Sequence, residues 1–556
     1  MRPGSSLPAA ADLINRTMRS GAPFLLLFLL FLLAESTATP AGNDTGREFV
    51  VVFPENIASY HPAGPQNKVW ITALYDGTRV TLNLPSGSQN PEARLMQAGQ
   101  THSFDVNIEL KEFKNLNESF SLSDQTLHIT SDKRIVVQAF SSRSRSMQTA
   151  LVIPADQLGK KYFIPPVPPV YEAAGLSARE RSPFRLLIVN AGEENTVTVA
   201  GEAVRKQVKL RPKQAAQIWL QEAEALRVVE AAKPVAVLFG HPCALKLQCT
   251  CGLLYAVLQP AKAERLKFPI PPGLATGAED NTVVLLSEMG SSRVEAFKPD
   301  SAVVETSGTA VLHRPGLLLT LIPQTDFASC YVVTKVSEQV NRAMIVVHKD
   351  SKDGIHVGSN PLESEAWQEM KKTEYVSTVL TVSSETTVIW HASSRMGVYF
   401  MGEKNGTLFG NPAPIISPNP DYRGCALIPE VVNIPEDAGS WPKSITTCSG
   451  NLKMVRFPNK FLHKQVCNFL SQAANSSPQE VWISLRRSSA SGEWYWLDDA
   501  PVNYTGWEQG EPGGVEEGQC AVMSLTRNKG CGWRDEDCCK AIRPLCYRQS
   551  ELLELQ

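Results

Sequence analysis

The chain has 556 residues, a formal net charge of -2 at pH 7 and 20% charged residues. A chain of this length exceeds one compact core and is expected to divide into about three to five domains. The balanced charge excludes both the basic field that nucleic-acid binding requires and the acidic excess that is typical of a disordered tail.

The N-terminal segment predicts export from the cell. An apolar run, FLLLFLLFLLA at 24–34, follows two arginines and is too short to span a bilayer, but it suits the core of a signal peptide. Small residues follow the run, so we predict a signal peptide at 1–38 and a secreted, extracellular mature chain without a membrane span. Either Met1 or Met18 is the start, and an uncleaved anchor is the alternative.

The next part of the chain repeats short strand patterns. DKRIVVQAFSS, AKPVAVLFGH and NRAMIVVHKD look like one strand written three times. Around YDGT, and again around AGEEN, one alternating strand is followed by a second, which predicts a β-hairpin. Because short strands bury their faces best as paired sheets, the predicted fold is mainly β, with about three β-sandwich-like units. The predicted units are 48–160, 161–265 and 266–412.

This repeat region resembles the N-terminal region of the IgGFc-binding protein family. The resemblance rests on GREFVVVFPEN, on KYFIPPV, and on GHPCALKLQCTCG followed by LQPA, across most of 47–412. It implies an extracellular binding region that is associated with immunoglobulin Fc and mucosal secretions. The cysteine-dense, mucin-like repeats of the large members are absent from this sequence, so the resemblance does not extend to mucus-network assembly.

The twelve cysteines are even in number, which in an exported chain predicts that all are paired. In the repeat region, His241, Cys243, Cys249 and Cys251 could instead form a zinc site, because thiolate and imidazole are preferred zinc ligands. With Cys330 as a fourth thiol, two disulfides account for the same residues and are favoured. Cys243–Cys249 with Cys251–Cys330 is one of three pairings that stay open.

The segment GNPAPIISPNPDYRG is predicted to be irregular, because its prolines and glycines do not suit a regular ladder or helix, and it places a linker at 413–421. Beyond it, SWPKSITTCSG predicts a short helix with Ser440 as N-cap and Gly450 as its stop. NKFLHKQVCNFL predicts a second helix. The apolar face of that second helix is predicted to contain Leu462, Val466 and Phe469.

After these helices come VWISL, GEWYWLDD, YTGW, GEP and GWRDEDC. This order of helices, tryptophan-rich strands and cysteines resembles the C-type lectin-like fold across residues 422–548. The predicted architecture is therefore repeated β-sandwich-like units followed by a small α+β C-type lectin-like domain. The resemblance implies the disulfides Cys448–Cys546 and Cys520–Cys538. Four cysteines remain for two further bridges of open pairing: Cys425, Cys467, Cys531 and Cys539.

Sugar-binding members of this fold hold calcium, and the resemblance implies where the ligands would lie. Glu511 and Asp535 match ligand positions, whereas Gly513, Gly518 and Arg534 stand where further oxygen ligands are expected. Calcium takes six to eight oxygens. We therefore expect no metal and no cofactor, with calcium disfavoured, and we predict that Arg534 replaces the ion by bridging Glu511 and Asp535.

Other acids in this region keep a rearranged calcium site open as the alternative to a solvated loop. These acids are Glu508, Glu516, Glu517, Glu536 and Asp537. Trp507, beside the loop, is the candidate contact residue, while Trp482, Trp494 and Trp496 are assigned to the core. The possible ligand-binding residues are thus Trp507, Glu511, Arg534 and Asp535. Five triplets predict N-glycosylation: Asn43, Asn117, Asn405, Asn475 and Asn503.

The sequence contains no motif for a nucleophile with its base, a metal-bound water or a phosphate loop. We therefore predict a secreted, non-enzymatic recognition or adhesion protein, of a kind that acts in immunity. Its expected partner is an extracellular protein, with immunoglobulin G Fc as the first candidate, or a glycan. A calcium-dependent carbohydrate-binding lectin is the alternative, and a hydrolase is the third class.

Overall fold

The computed structural model describes most of the chain after the N-terminal segment. The described residues are 42–57, 64–85, 91–110, 120–144, 146–168, 170–171, 177–178, 184–220, 225–245, 251–274, 282–298, 302–337, 339–363, 366–404, 407–472, 479–514, 516, 518–525 and 530–553. The predicted signal peptide lies outside them. No helix within these ranges is long and apolar enough to cross a membrane. Strands dominate, which confirms the predicted mainly β class.

The first eight strands include one long strand, β7, around which the first sheet is built. They are β1 (Gly46–Val51), β2 (Gln66–Ala73), β3 (Thr78–Asn83), β4 (Glu92–Met96), β5 (Thr101–Val106), β6 (Phe120–Ser123), β7 (Leu127–Arg143) and β8 (Ser146–Leu151). β7 pairs with β1, β2, β3 and β8, while β6 joins the next sheet. A strand that is buried at the centre of a sheet needs apolar side chains, and the IVVQAF stretch of β7 is almost wholly buried.

The second group repeats this plan around β16. Its strands are β9 (Gly159–Phe163), β10 (Val170–Tyr171), β11 (Ser177–Ala178), β12 (Arg185–Asn190), β13 (Asn195–Gly201), β14 (Arg205–Leu210), β15 (Ala215–Trp219), β16 (Leu226–Leu245) and β17 (Cys251–Val257). β16 pairs with β9, β12, β13 and β17, and β6 adds to β15 at the edge of this sheet.

The predicted hairpins at YDGT and AGEEN are wrong in both groups. β2 pairs with β7 at 135–142 and β3 pairs with β7 at 128–131, so the two strands follow each other along β7 and do not pair together. β12 and β13 lie in the same way along β16. The reason is the long central strand: its two halves carry separate ladders whose inner residues, such as Ile129 and Val137, share one core.

The third group forms two five-stranded sheets around a common core, beside one four-stranded and one two-stranded sheet. Its strands are β18 (Leu266–Pro269), β19 (Val283–Glu288), β20 (Ser291–Ala296), β21 (Val303–Thr306), β22 (Ala310–Arg314), β23 (Leu317–Thr320), β24 (Cys330–Thr334), β25 (Val340–His348), β26 (Ile355–Val357), β27 (Asn360–Pro361), β28 (Gln368–Glu369), β29 (Tyr375–Thr381), β30 (Thr386–His391), β31 (Met396–Lys404), β32 (Thr407–Pro412) and β33 (Ile415–Ser417). Short 3₁₀ turns lie at Ala155–Gln157, Pro272–Leu274, Gln324–Asp326 and Lys349–Gly354.

The proline-rich segment after 409 is more regular than predicted. It contributes the end of β32 and all of β33, and each is the last strand of its sheet. A central strand donates N–H groups to the strands on both of its sides, and a proline has no N–H to donate. An edge strand tolerates proline because one of its sides stays unpaired. The segment therefore belongs to the sheets of the third group for part of its length.

The C-terminal module combines short strands with two helices. Its elements are β34 (Ala426–Ile428), β35 (Val431–Asn433), α1 (Trp441–Thr447), β36 (Lys453–Met454), α2 (Lys460–Gln472), β37 (Glu480–Arg487), β38 (Trp494–Trp496), β39 (Cys520–Ser524), β40 (Trp533–Glu536), β41 (Arg543–Pro544), β42 (Cys546–Arg548) and β43 (Glu551–Leu552). α1 starts directly after Ser440, as predicted. Gly450 follows with a φ of 69°, a left-handed conformation that glycine adopts without strain.

The apolar face of α2 differs from the prediction. Val466 is buried, but its buried neighbours on the helix are His463 and Leu470, while Phe469 is exposed. His463 enters the core because its ring nitrogens lie 2.9 Å from the Tyr504 hydroxyl and 2.8 Å from the Cys531 carbonyl oxygen. A histidine with both nitrogens satisfied can be buried, so the helix is rotated away from the purely apolar stripe.

The module is anchored to the third β group by a disulfide and by apolar packing. Cys330 of β24 is bonded to Cys425, just before β34. Around this bond, Val136 of β7, Trp390 of β30 and Leu553 at the C-terminal end form one buried cluster. The two regions therefore share a core at their junction.

The disulfides correct the cysteine predictions for the repeat region. Cys243 is bonded to Cys251, a bond that belongs to one of the three open schemes. Cys330 pairs outside the group of four, so none of the three schemes occurs in full. His241 is buried, and its Nδ1 accepts a hydrogen bond from the Cys243 N–H at 3.1 Å. The bond between two of the proposed thiolates leaves no zinc site of the predicted kind. Cys249 lies outside the described residues.

Loop length predicts how much each of these two disulfides stabilises the protein. Cys330–Cys425 closes a separation of 95 residues and Cys243–Cys251 one of 8. Chain entropy then predicts that replacing Cys330 and Cys425 together by alanine costs about 5 kcal/mol of unfolding free energy, against about 2–3 kcal/mol for the Cys243/Cys251 pair. Urea denaturation of the two double variants measures this difference. Equal losses of unfolding free energy in the two double variants would contradict this prediction.

Candidate functional site

The site at the loop end of the C-terminal module stands on a buried aromatic core. Trp482, Trp496 and Trp533 are fully buried on β37, β38 and β40. Large indole rings bury much apolar area and fix the strands relative to each other. The strand β40, which carries the sequence WRDE, therefore presents its polar side chains from a rigid base.

Three disulfides close the module around this core. The structure joins Cys448 to Cys546 and Cys520 to Cys538, the two pairs that the resemblance implied, and it also joins Cys467 to Cys531. Cys539 is exposed and forms no disulfide within the described part of the chain, against the prediction that all twelve cysteines are paired. The reason is the pairing of Cys425 with Cys330, which removes one of the four remaining thiols from the module.

Two tryptophans line the loop with part of each ring exposed. The centroids of the Trp494 and Trp507 rings lie 4.8 Å apart, and Trp507 also contacts buried Trp533. The Arg487 guanidinium lies over Trp494 and donates hydrogen bonds to the carbonyl oxygens of Gly492 and Gly513. Trp494, assigned to the core by sequence, thus shares its position at the rim with Trp507.

Glu511 and Asp535 lie together, as their matched positions in the sequence predict. The Gly513 N–H donates to Asp535 Oδ1 at 2.8 Å, and the Asp535 N–H donates to Glu511 Oε2 at 3.4 Å. Asp535 is only 8% exposed, and its Oδ2 has no hydrogen-bond partner within the described part of the chain. Burial raises the pKa of the Glu511 carboxyl, and the neighbouring Asp535 carboxylate raises it further.

Arg534 does not bridge Glu511 and Asp535, so that prediction is wrong. Its guanidinium forms ion pairs with Glu480 of β37 and, at 2.7 Å, with Glu536. Lys540 completes the group with contacts of 3.1 Å to Glu480 and 2.6 Å to Glu536. Neighbouring residues of a strand point to opposite faces, so the side chains of 534 and 536 lie on one face and Asp535 on the other.

The residues present do not fit a calcium ion at the matched positions. Only Glu511 and Asp535 offer side-chain oxygens there, and one of the Asp535 oxygens already accepts the Gly513 N–H. A Cβ at Gly518 would lie 2.5 Å from the Glu536 nitrogen, so this position leaves no room for the acid that the resemblance implies. Calcium needs six to eight oxygens. Within the described ranges, no group of three or more His, Cys, Asp or Glu residues could hold a metal ion.

Two of the predicted glycosylation sites lie in described parts of the chain. Asn503 is exposed, whereas Asn43 is half-buried and its Oδ1 accepts hydrogen bonds from Thr45, Arg134 and Gln157. The other three, Asn117, Asn405 and Asn475, lie outside the described residues.

With this geometry, the C-terminal module is a lectin C-type domain: residues 439–548 match that family model, which confirms the predicted resemblance. Within 110 residues, the chain is 33% identical to human C-type lectin domain family 17, member A, over 20% of this chain and 27% of that protein. The repeat region is similar to human IgGFc-binding protein, with 27% identity over 273 residues, which is 47% of this chain and 5% of that protein. The chain therefore spans a minor part of each of these relatives.

Among solved structures, human lithostathine matches 22% of this chain and 83% of its own chain, with 20% identity and a TM-score of 0.19. These comparisons relate the C-terminal module to lectin C-type domains and the repeat region to IgGFc-binding protein. The five disulfides among the described residues are a feature typical of extracellular proteins.

The ion pairs of Arg534 give a test by double-mutant cycle. Arg534→Met combined with Glu480→Gln should show a coupling of about 1–2 kcal/mol in unfolding free energy, because these partly buried charges form a direct pair. The matched cycle of Arg534→Met with Glu511→Gln should show a coupling near zero. Urea denaturation of the full chain measures both. A larger coupling with Glu511 than with Glu480 would instead support a bridge between Arg534 and Glu511.

Proposed function

We propose that this protein is a secreted, non-enzymatic recognition protein whose lectin C-type domain binds an extracellular protein or a glycan without calcium. The observation that carries this proposal is the replacement of calcium ligands by a closed set of protein contacts. Arg534 pairs with Glu480 and Glu536, Gly513 donates to Asp535, and no space remains at Gly518 for a further acid.

These contacts support an ordered loop that does not depend on a metal ion. Asp535 accepts the Gly513 N–H, and Arg487 donates to the Gly513 carbonyl oxygen, so both backbone polar groups of this residue are engaged. A loop held in this way loses little conformational entropy when a partner binds. In the calcium-dependent lectins, the ion supplies the corresponding order and also contacts the sugar, so this domain needs another contact group.

The partly exposed rings of Trp494 and Trp507 are the proposed contact group. They contact each other at the rim of the loop, and Trp507 also packs on the buried Trp533. Tryptophan offers a large apolar face together with one N–H donor, which suits both protein surfaces and sugar rings. Adhesion and immune recognition are activities of this type, and the chain carries no motif for turnover of a substrate.

Calcium should leave the thermal stability of the parent chain unchanged. Thermal unfolding of the full chain is measured in calcium and in chelator. The comparison is Gly513→Asn/Arg534→Asn, because Gly513→Asn adds an oxygen ligand beside Glu511 and Asp535 and Arg534→Asn removes the positive charge that acts on Glu511. Calcium should raise the melting temperature of that variant by at least about 2 °C more than that of the parent.

The variant Gly513→Asn alone controls for the change in the loop backbone and leaves Arg534 in place. If calcium raises the melting temperature of the parent by several degrees, the calcium-free proposal fails. The calcium-dependent carbohydrate-binding lectin is then the better description of the domain.

A second candidate activity is binding of immunoglobulin G Fc by the β-rich repeats. It is supported by the similarity of 273 residues to a protein whose name states Fc binding. Related proteins share a fold more often than they share a binding partner, so this activity needs a direct test.

Surface plasmon resonance with the immobilised full chain should detect Fc fragments at micromolar concentration. Fab fragments of the same immunoglobulin are the matched control and should not bind. If Fc gives no more signal than Fab, this candidate is removed, while the proposal for the lectin domain stands unchanged.

A further inference from the structure

The outer side of α2 carries an unusual combination of aromatic and cationic side chains. Phe461 and Phe469 are 54% and 53% exposed, although the helix has a complete buried face of its own. An open depression of about 480 Å³ runs along this side. We call it the α2 face, and its residues are Phe461, Lys464, Gln465, Asn468 and Phe469.

The α2 face is not a gap in the packing of the module. His463, Val466 and Leu470 already fill the core side of the helix. Phe461 instead contacts Tyr422, with 4.7 Å between ring centroids, and Tyr422 is itself 45% exposed. Clustered exposed rings of this kind are typical of interaction sites, whereas single exposed apolar residues need no explanation.

The surface next to the α2 face lies at the junction with the third β group. A second depression of about 480 Å³ lies on the other side of Gln465, and its lining includes Ser393, Asn419 and Tyr422. Gln465 separates the two, and its amide nitrogen donates to Glu430 at 2.7 Å, which fixes its orientation. Ligand sites occur preferentially at such junctions between modules.

The charge of the α2 face is positive. Lys464 on this face and Lys460 next to it are exposed, and neither forms an ion pair with a residue that the structure describes. The helix sequence KFLHKQVCNFLSQ contains no acid. The nearest depression carries two acids, Asp421 and Glu430. Asp421 pairs with Arg423, and Glu430 is engaged by Gln465 and by the Tyr547 hydroxyl. An anionic partner is therefore complementary to this face.

A second copy of the chain does not suit the same surface. In a two-fold contact the same patch meets itself, so a helix with two lysines and no acid would bring like charges together. The occupant must therefore carry the opposite charge.

We propose that the α2 face binds an anionic oligosaccharide that carries sulfate or carboxylate groups, and that it does so without calcium. The rings of Phe461 and Phe469 pack against the C–H faces of the sugars, and the Lys464 ammonium pairs with the anionic group. The Asn468 amide hydrogen-bonds to hydroxyls. Eight residues of helix separate the two rings by about 12 Å, which spans a short run of sugar units.

This site is separate from the loop site of the proposed function. It uses none of the residues Trp494, Trp507, Glu511 or Asp535, and it lies on a helix instead of the loop end of the strands. Failure of one proposal therefore leaves the other open to its own test.

Isothermal titration of the full chain in chelator tests the proposal. The probes are a heparin-derived octasaccharide, a sialylated oligosaccharide, and a neutral oligosaccharide of similar length. The sulfated probe, the sialylated probe or both should bind, and the neutral one should not, which identifies the anionic group. Lys464→Glu and Phe469→Ala should each weaken binding at least about tenfold.

Two exposed residues of α1 provide matched controls, because Lys443→Glu changes the charge equally and Ile445→Ala removes an exposed apolar side chain. Both controls should change affinity by less than about twofold, in line with surface sites away from the contact. Melting temperatures close to the parent show that the exposed α2 substitutions leave the fold intact.

Three results would overturn the proposal. The first is the absence of binding by both anionic probes, and the second is an equal loss in Lys443→Glu, which would indicate general attraction by net charge. The third is a change of sedimentation coefficient in Phe469→Ala with unchanged glycan affinity, because the face would then be an interface between two copies.

Discussion

The ion pairs of Arg534 with Glu480 and Glu536 are the interaction on which the loop end of the lectin domain depends. They join β40 to the start of β37, with β39 between them, and Lys540 adds a second cation to the same two acids. Arg534, Glu480 and Glu536 are partly buried, so their attraction is screened less than on an open surface. The pairing fixes the strand from which Asp535 reaches the loop on the opposite face.

This arrangement gives the loop an order that comes from protein contacts. Asp535 binds the backbone of Gly513, and Glu511 lies next to it with a carboxyl whose pKa is raised by burial. A raised pKa means that the folded state holds this proton more tightly than the unfolded chain does. Burial is the main cause of this shift, and the neighbouring Asp535 carboxylate adds to it.

The junction with the third β group determines how the domain is presented. Cys330–Cys425 ties its first strand to β24, and Leu553 closes the same apolar cluster from the C-terminal end. A covalent bond combined with a shared core restricts hinge motion, since the packed side chains would have to separate. The α2 face borders this junction through the contact between Tyr422 and Phe461, so a ligand there would meet both parts of the chain.

The sequence by itself determined the class of each region, because that depends on local patterns. The three similar stretches DKRIVVQAFSS, AKPVAVLFGH and NRAMIVVHKD marked β7, β16 and β25 as repeats of one strand, and the order of helices, tryptophans and cysteines marked the lectin domain. Glycines at 513 and 518 likewise showed from sequence that side-chain oxygen ligands are missing. These features could be predicted because they depend on residue type and spacing and not on contacts with distant parts of the chain.

Only the tertiary structure decided which residues meet. Arg534 pairs with Glu480, which lies 54 positions away, and no local pattern distinguishes that acid from Glu511. Cys330 pairs with Cys425 across 95 positions, and the two strands around YDGT pair with β7 instead of each other. His463 took a core position that a hydrophobic stripe assigns to an apolar residue, which turned Phe469 outward. In each case the partner is chosen by burial and pairing between distant segments, and that choice is made only when the whole chain has packed.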